Sequence, residues 1–480
     1  MSVTDGMLGR LGLLPADADE QTADLIAQIK EDGIETVRFL FPDQHGVLRG
    51  KALVADAVMS ACRNGVNAPS SLALKDTSHR TAFDVWNDDA GFGAGAMTGA
   101  SDLLLIPHPT TYRRLPWSPH SAWVLCDIAQ TTGTAIPFAS RSVLRTAINR
   151  LASRNMQIIC GLEVEFHVFR IEDDRMRHAD GGMPGAAPKT LPLNHGYQLL
   201  TDNHYGAAED LLDDIRRTAT AMGLSVRSAE VEFGPSQFEF TFDPAPAMEH
   251  ADNMVIFRTM VKQLCQRKGL NATFMCRPAA AFATASGWHL HQSLVSTETG
   301  ENLFMSANET LTPQAAGWIS GLLAHAEESC LLTTPTVNGY KRYQPFQLAP
   351  DRIQWGRDNR GAMIRALLRP GDEASRVENR VAEPAANPHY FFASQILSGL
   401  SGIEQGLQPP PPVETPYQSD AKTIPTNLGD AIAAFEAGTF YRNTLGDEFV
   451  TYLAHLKRAE WNRYLATVSE WEDREYSTLF

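Results

Sequence analysis

The 480-residue chain is defined first by what it does not contain. It has no Cys-x-x-Cys pair. Cys62, Cys126, Cys160, Cys265, Cys276 and Cys330 stand far apart, which excludes a zinc or disulfide framework and reads as the reduced thiols of a cytosolic enzyme. No apolar run approaches the roughly 18 residues that crossing a bilayer takes. Asp5, Arg10 and Asp17 interrupt the N-terminus, so neither a membrane span nor a signal peptide is expected. Positive charge is short as well. A net charge of −15 argues against a nucleic-acid-binding surface, while leaving room for a local arginine cluster. There is no Gly-x-x-x-x-Gly-Lys-Ser/Thr loop, and Gly50-Lys51 lacks the following hydroxyl residue. Gly91-Phe-Gly-Ala-Gly95 follows Asp88 and Asp89 rather than a strand, so it reads as a flexible loop and not a dinucleotide site. Any bound nucleotide must be held by other means.

What is present is an ordinary globular composition, 43% hydrophobic and 20% charged, with length for two or three domains. Residues 1–20 read as a loose or lightly docked arm. Residues 21–134 read as a small domain: a helix over Asp19–Lys30, a hairpin of Glu35–Phe41 with Val47–Val54, then strands Asp102–Pro107 and Ala122–Asp127. Ala68 to Lys75 reads as a turn followed by an extended piece. The remainder, 135–480, reads as a larger domain. It opens with a helix over Ser140–Asn155, has another over Ala207–Met222, and is helical after Ala385 (Phe391–Gln405, Leu428–Glu436, Phe449–Ser469).

The larger domain carries several strands with one polar face. In Gly161-Leu-Glu-Val-Glu-Phe-His-Val-Phe169, alternation puts Val164, Phe166 and Val168 on one side and Glu163, Glu165 and His167 on the other. Phe238-Glu-Phe-Thr-Phe242 alternates likewise. So do Trp288-His-Leu-His-Gln-Ser293, with His289, His291 and Ser293 together, and Arg376-Val-Glu-Asn-Arg380, with Glu378 between two arginines. Glu232 lies seven residues before Glu239, and the Gly234-Pro235-Ser236 break is expected to bend the strand so that the two converge. Each polar face alone could be a wet sheet surface. Together they describe one carboxylate-rich cavity, with Arg342, Arg360 and Arg365 adding planar donors. Such a set suits two divalent cations holding a polyphosphate. Hard oxygen ligands favour Mg²⁺, and the histidine leaves Mn²⁺ open.

These residues resemble the glutamine synthetase family over nearly the whole chain. The motifs are Gly161-Leu-Glu-Val-Glu-Phe166, Glu232-Phe-Gly-Pro-Ser-Gln-Phe-Glu239, Ser286-Gly-Trp-His-Leu-His-Gln-Ser-Leu294, Asn338-Gly-Tyr-Lys-Arg342, Trp355-Gly-Arg-Asp-Asn-Arg360 and Glu383-Pro-Ala-Ala-Asn-Pro388. The resemblance implies an α+β fold, with a small N-terminal β-grasp domain and a catalytic domain on a curved antiparallel sheet. It also implies a cytoplasmic dodecamer of two hexameric rings, with active sites between neighbouring subunits. By motif position, Glu165, Glu232 and Glu239 would hold one metal, and Glu163, His289 and Glu378 the other. His291 and Ser293 would lie by the nucleotide, Arg342 and Arg380 would hold glutamate, and Arg360 and Arg365 would face the transferring phosphate. The implied reaction consumes ATP: the side-chain carboxylate of glutamate takes the terminal phosphate, and an amine then displaces it.

The departures from the family pattern concern the amine. Where glutamine synthetases carry an Asp before Gly-Ser-Ser to help bind ammonium, this chain has Ala68. Where a loop glutamate closes the site and takes the ammonium proton, it has Leu348, with Phe346 close by. Where an Asn-Gly stands, it has Thr284-Ala285. Losing two anions, each worth on the order of 1.5–3 kcal/mol to a cation, weakens ammonium binding. Phe346, Leu348 and Trp288 suggest an apolar pocket instead. The expected activity is a glutamate–amine ligase with L-glutamate, ATP and an aryl- or alkylamine as substrates, resembling the γ-glutamyl-anilide, -isopropylamide and -polyamine synthetases. An ordinary glutamine synthetase, a γ-glutamylpolyamine synthetase and a non-catalytic regulator are the alternatives.

Overall fold

The computed structural model describes every residue except Met1, 88–94, Glu309 and 345–347. Phe346 and most of the glycine-rich loop therefore lie outside the described residues. Two sheets organise the chain. The first, of six strands, runs in the order Leu48–Val54, Thr36–Pro42, Ser121–Gln130, Asp102–Pro107, Val66–Pro69, with the two-residue strand Arg113–Arg114 beside Ser121–Gln130. Thr36–Pro42 and Ser121–Gln130 are parallel; the other neighbours are antiparallel.

The second sheet has ten strands and carries the polar faces. Its order is Trp355–Arg357, Ile364–Leu367, Arg376–Asn379, Trp288–Ser296, Met156–Ile171, Gln237–Phe242, Val226–Val231, with three short strands, including Leu270–Thr273, on Met156–Ile171. Among the described residues only Trp355–Arg357 and Ile364–Leu367 pair in parallel in this sheet. The face formed by Val164, Phe166, Phe238 and Phe240 is fully buried under the helix Ala247–Gln266, and the helix Pro388–Glu404 covers Trp288 on the same face. Phe257 of the first helix meets Phe166 and Phe240 at ring-centroid distances of 6.0 and 5.4 Å. Alternation then leaves the opposite face for glutamate and histidine.

Some expectations change. The N-terminal arm is packed down: Val3 and Leu8 are buried, Leu8 against Leu104, Ile106 and Ala129. Val66–Pro69 is a strand and Ser70–Leu74 a 3-10 turn, in place of a turn followed by an extended piece. The segment around Gly234-Pro235-Ser236 is not a bend within one strand. It is a reversal, with Ser236 at φ +64°, that folds Gln237–Phe242 back antiparallel onto Val226–Val231. Three helices, Ala247–Gln266, Pro313–Ala324 and Ala326–Thr333, go unforeseen because they are buried around most of their circumference and show little amphipathic period.

The two sheets are tied through buried charge. Arg141 donates to Asp252 through Nε (3.0 Å) and Nη2 (2.9 Å) and to Asp127 of the first sheet through Nη1 (2.6 Å). His389 shares Asp252 at 3.0 Å. Burial alone would raise both carboxyls, but the Arg141 charge overrides it and holds each below its ordinary range.

Candidate active site

The polar face of the second sheet converges. Cross-strand pairing sets Glu239 opposite Glu165, Thr241 opposite Glu163, and His289 opposite Glu163. Side chains paired this way share one face at close range. His289 Nδ1 is 3.2 Å from Glu163 Oε2 and 3.6 Å from Glu378 Oε1, and its Nε2 is 3.8 Å from Glu165 Oε1. His291 Nε2 lies 2.8 Å from Glu163 Oε1. Ligand atoms of Glu163, Glu239 and His289 fall within 4.8 Å of one another, and so do those of Glu163, His291 and Glu378. Glu163 is common to both groups. The motif-based division instead sets Glu378 with His289 and places His291 by the nucleotide; here the His291 ring also lies within ligand distance of Glu163 and Glu378.

Charge is unevenly balanced across the cluster. Glu378 is enclosed by Arg365 (Nη1–Oε2 3.0 Å) and Arg380. Burial opposes its ionisation, yet the charge of Arg380 and the two histidines keeps its pKa low. Glu163 is held low against burial by hydrogen bonds from His289 and His291. Glu232 and Glu239 are the reverse. Burial, with Glu165 as the main charged neighbour, pushes Glu232 up to about 8 and Glu239 well above the carboxylate range. Carboxylates that hold protons for want of a counter-charge fit a hard divalent cation, as does the oxygen-and-imidazole donor set.

A supporting layer aims these groups. Gln237 Nε2 and the Gly287 amide donate to Glu165 Oε2 at 2.9 and 3.0 Å. Gln237 also donates to the Ala285 carbonyl (3.3 Å), and its Oε1 accepts from Gly234 N and Thr284 Oγ1. Arg376 Nε donates to His291 Nδ1 at 3.0 Å, turning the other ring nitrogen toward Glu163. Alternation already sets Arg376 on the polar face beside Glu378, without its contact to His291; Gln237 stands one residue before the recognised run Phe238–Phe242, and alternation gives it no part in the cluster.

The remaining expected residues are placed as follows. Arg342 donates to the carbonyls of Arg380 (2.8 Å) and Val381 (3.1 Å), with Nη2 3.5 Å from His289 Nε2. Arg365 is shared between Glu378 and Asp358. Arg380 donates to the carbonyl of Arg360, whose own side chain is exposed. Ser293 is half-buried, next along the face from His291. Leu348 is 56% exposed at φ +53°. One placement corrects the apolar-pocket expectation. Trp288 points to the other side of the sheet, fully buried with its ring 5.1 Å from Phe391 and 5.7 Å from Phe392. Ala68 is buried in the core of the first sheet, opposite Leu103.

Comparison with known proteins agrees with this geometry. Residues 138–476 match the family described as glutamine synthetase, catalytic domain. A γ-glutamylanilide synthase of Acinetobacter is 36% identical, covering 96% of this chain and 97% of the relative. A γ-glutamylethanolamide synthetase of Streptomyces coelicolor is 32% identical over 94% of each. A glutamate–isopropylamine ligase of Pseudomonas is 28% identical over 93% and 96%. Among solved structures, GmaS in complex with ADP superposes with a TM-score of 0.80 at 29% identity, covering 95% of this chain and 99% of that one. Its ligand-free form gives 0.79 at 30% identity with the same coverage. With its carboxylate-lined sheet and a family match across most of its length, the chain belongs to the glutamine synthetase family.

Proposed function

We propose that the chain is an ATP-dependent ligase joining the γ-carboxylate of L-glutamate to an organic amine, with aryl- and small alkylamines as its preferred class. One contrast carries the reading. The carboxylate–histidine cluster is complete, while the positions where relatives of the ordinary ammonium type carry acids are apolar, Ala68 and Leu348. The named activities of the anilide, ethanolamide and isopropylamine relatives support it.

Glu163, Glu165, Glu232, Glu239, His289, His291 and Glu378 would hold two or three divalent cations, Mg²⁺ or Mn²⁺. Bound there, the cations would neutralise phosphate oxygens of ATP. The chain's own groups do the rest. Arg342 and Arg380 bind the carboxylates of glutamate, for which a planar guanidinium is the matching donor. Arg360 and Arg365 face the charge that moves with the phosphoryl group. A γ-carboxylate oxygen forms a bond to the terminal phosphorus as the bond to ADP breaks. The amine nitrogen then bonds to the acyl carbon, phosphate leaves, and the nitrogen gives up a proton to solvent. An arylamine is neutral at pH 7 and presents its lone pair without a base, so the absence of an acid at 68 and 348 costs it least. The same reading includes the dodecamer of two rings, which light scattering would register as twelve chain masses.

Release of phosphate from ATP plus glutamate, with ammonium, aniline, isopropylamine, ethanolamine and a polyamine, tests the reading. The expected outcome is a higher kcat/KM for an organic amine than for ammonium. Ammonium ahead of every organic amine would return the chain to ordinary glutamine synthesis, and no turnover with any amine would mark a non-catalytic homologue.

A further inference from the structure

The outer end of the carboxylate row is a residue that no motif singled out. Because Gln237–Phe242 folds back onto Val226–Val231, Glu239 lies opposite Glu165 on one side and opposite Glu230 on the other. Directly paired residues of antiparallel strands project to one face with Cβ atoms about 4.5–5.5 Å apart. Glu165, Glu239 and Glu230 therefore form a single row across three strands. The adjacent row is Glu163, Thr241 and Ser228.

Its hydroxyls anchor Glu230. Ser228 Oγ donates to Glu230 Oε1 at 2.6 Å and lies 2.6 Å from Thr241 Oγ1. Val226–Val231 is the last strand of the sheet, and Glu230 is only half-buried. A half-buried glutamate on an edge strand is free to swing into water and escape a like charge. Here a hydroxyl holds it beside Glu239, where like charges directly opposite are destabilising. A repulsion maintained by a dedicated hydrogen bond has a use if a cation relieves it.

We propose that Glu230 is a further residue of the cation site: anchored by Ser228, its carboxylate supplies negative charge to the cation on the Glu239 side and sets that cation's affinity. The inference rests on reading the cluster as a divalent-cation site. Glu230 acts by charge, as a positioning residue for the cation.

The test titrates Mn²⁺ alone into the full chain, following free Mn²⁺ by electron paramagnetic resonance, and records thermal unfolding with and without the ion. Parent, Glu230→Gln and Glu230→Asp are compared; the Gln variant still accepts the Ser228 hydroxyl. Glu230→Gln should bind one class of Mn²⁺ about tenfold more weakly, with the number of ions bound unchanged. Glu230→Asp should remain within about threefold of the parent, since it keeps the charge. Without Mn²⁺ the Gln variant should melt above the parent, because a charge crowded against Glu239 is gone, and Mn²⁺ should raise its melting temperature less. A purely structural role would lower its melting temperature in both states. Equal Mn²⁺ affinity in parent and Gln variant, or a lower melting temperature without the ion, would overturn the proposal alone. A parent chain that binds no Mn²⁺ would overturn the cation reading and this proposal with it.

Discussion

At Gly287 the backbone passes close under two functional side chains. A Cβ there would stand 2.5 Å from Arg342 Nη2 and 3.0 Å from His289 Nε2. Arg342 is a flexible side chain, but its other nitrogen is bound to two carbonyls, so it yields only by leaving them. Gly287→Ala should therefore leave a folded chain whose Arg342 and His289 are displaced. A misplacement near 1 Å at a reacting centre costs about a hundredfold in rate. The expected result is a kcat/KM for glutamate lower by about that factor, with overpacking reducing stability by only about 1–3 kcal/mol. Steady-state kinetics beside a thermal melt checks the split. The need for glycine was open to a reader of the sequence only as part of a motif. Which atoms a methyl would strike depends on Arg342 returning from fifty-five positions downstream.

Elements explain both what alternation reveals and where it stops. A period of two assigned Glu163, Glu165, His289 and Glu378 to polar faces because each strand buries phenylalanine, valine or tryptophan on its other side. The same rule applied to Trp288 places it opposite its neighbour His289, away from the cavity, which is where its ring is found. Periodicity did not distinguish a bend from a reversal at Gly234-Pro235-Ser236, since either follows from the same residues. Taking it for a bend hid the pairing of Glu230 with Glu239. The reversal has a measurable consequence. Three carboxylates across adjacent strands, with Glu232 beside them, cannot all ionise without a counter-charge. Glu232, pushed up to about 8, is mainly protonated at pH 7 in the metal-free chain, and Glu239 is raised well above the carboxylate range for the same reasons. A cation must displace such protons, so its affinity should climb with pH by about tenfold per pH unit for each proton released, the Glu232 share levelling off above about pH 8. Calorimetric titration of Mg²⁺ at pH 7, in two buffers of different ionisation enthalpy, should report net proton release of about one or more. Uptake of no proton change in both buffers would show that the row binds metal already ionised.

For the whole molecule, the question is what keeps the first sheet fixed against the catalytic one. The apolar core runs continuously through both, but apolar contact gives little orientation. Arg141 gives direction: on the first turn of Ser140–Ala152, it joins Asp127 from the first sheet to Asp252 on the long buried helix. No sequence pattern marks this triad, because its members are far apart in the chain and each looks like an isolated surface charge. Breaking a buried pair by removing one partner typically costs 3–5 kcal/mol, more than an exposed ion pair contributes. Arg141→Met should lower the urea midpoint by an amount corresponding to about that loss at pH 7. The pH dependence follows from the direction of the shifts. In the parent, both carboxyls lie below their ordinary value, so the stability they contribute is complete above about pH 4 and disappears as pH falls through their folded pKa values. In the variant Asp127 keeps Arg145 and His108 and Asp252 keeps His389, but the largest counter-charge is gone, so burial weighs more and both carboxyls rise from where they lie in the parent. Each then stays protonated in the folded state to higher pH, and the variant loses stability relative to the parent as pH rises through the new values. The deficit of Arg141→Met should accordingly be greatest at neutral pH and narrow toward pH 4, measured as urea midpoints at fixed protein concentration. A deficit that does not change between pH 4 and 7 would mean that the arginine serves by packing its stem, and that orientation between the sheets comes from the apolar core alone.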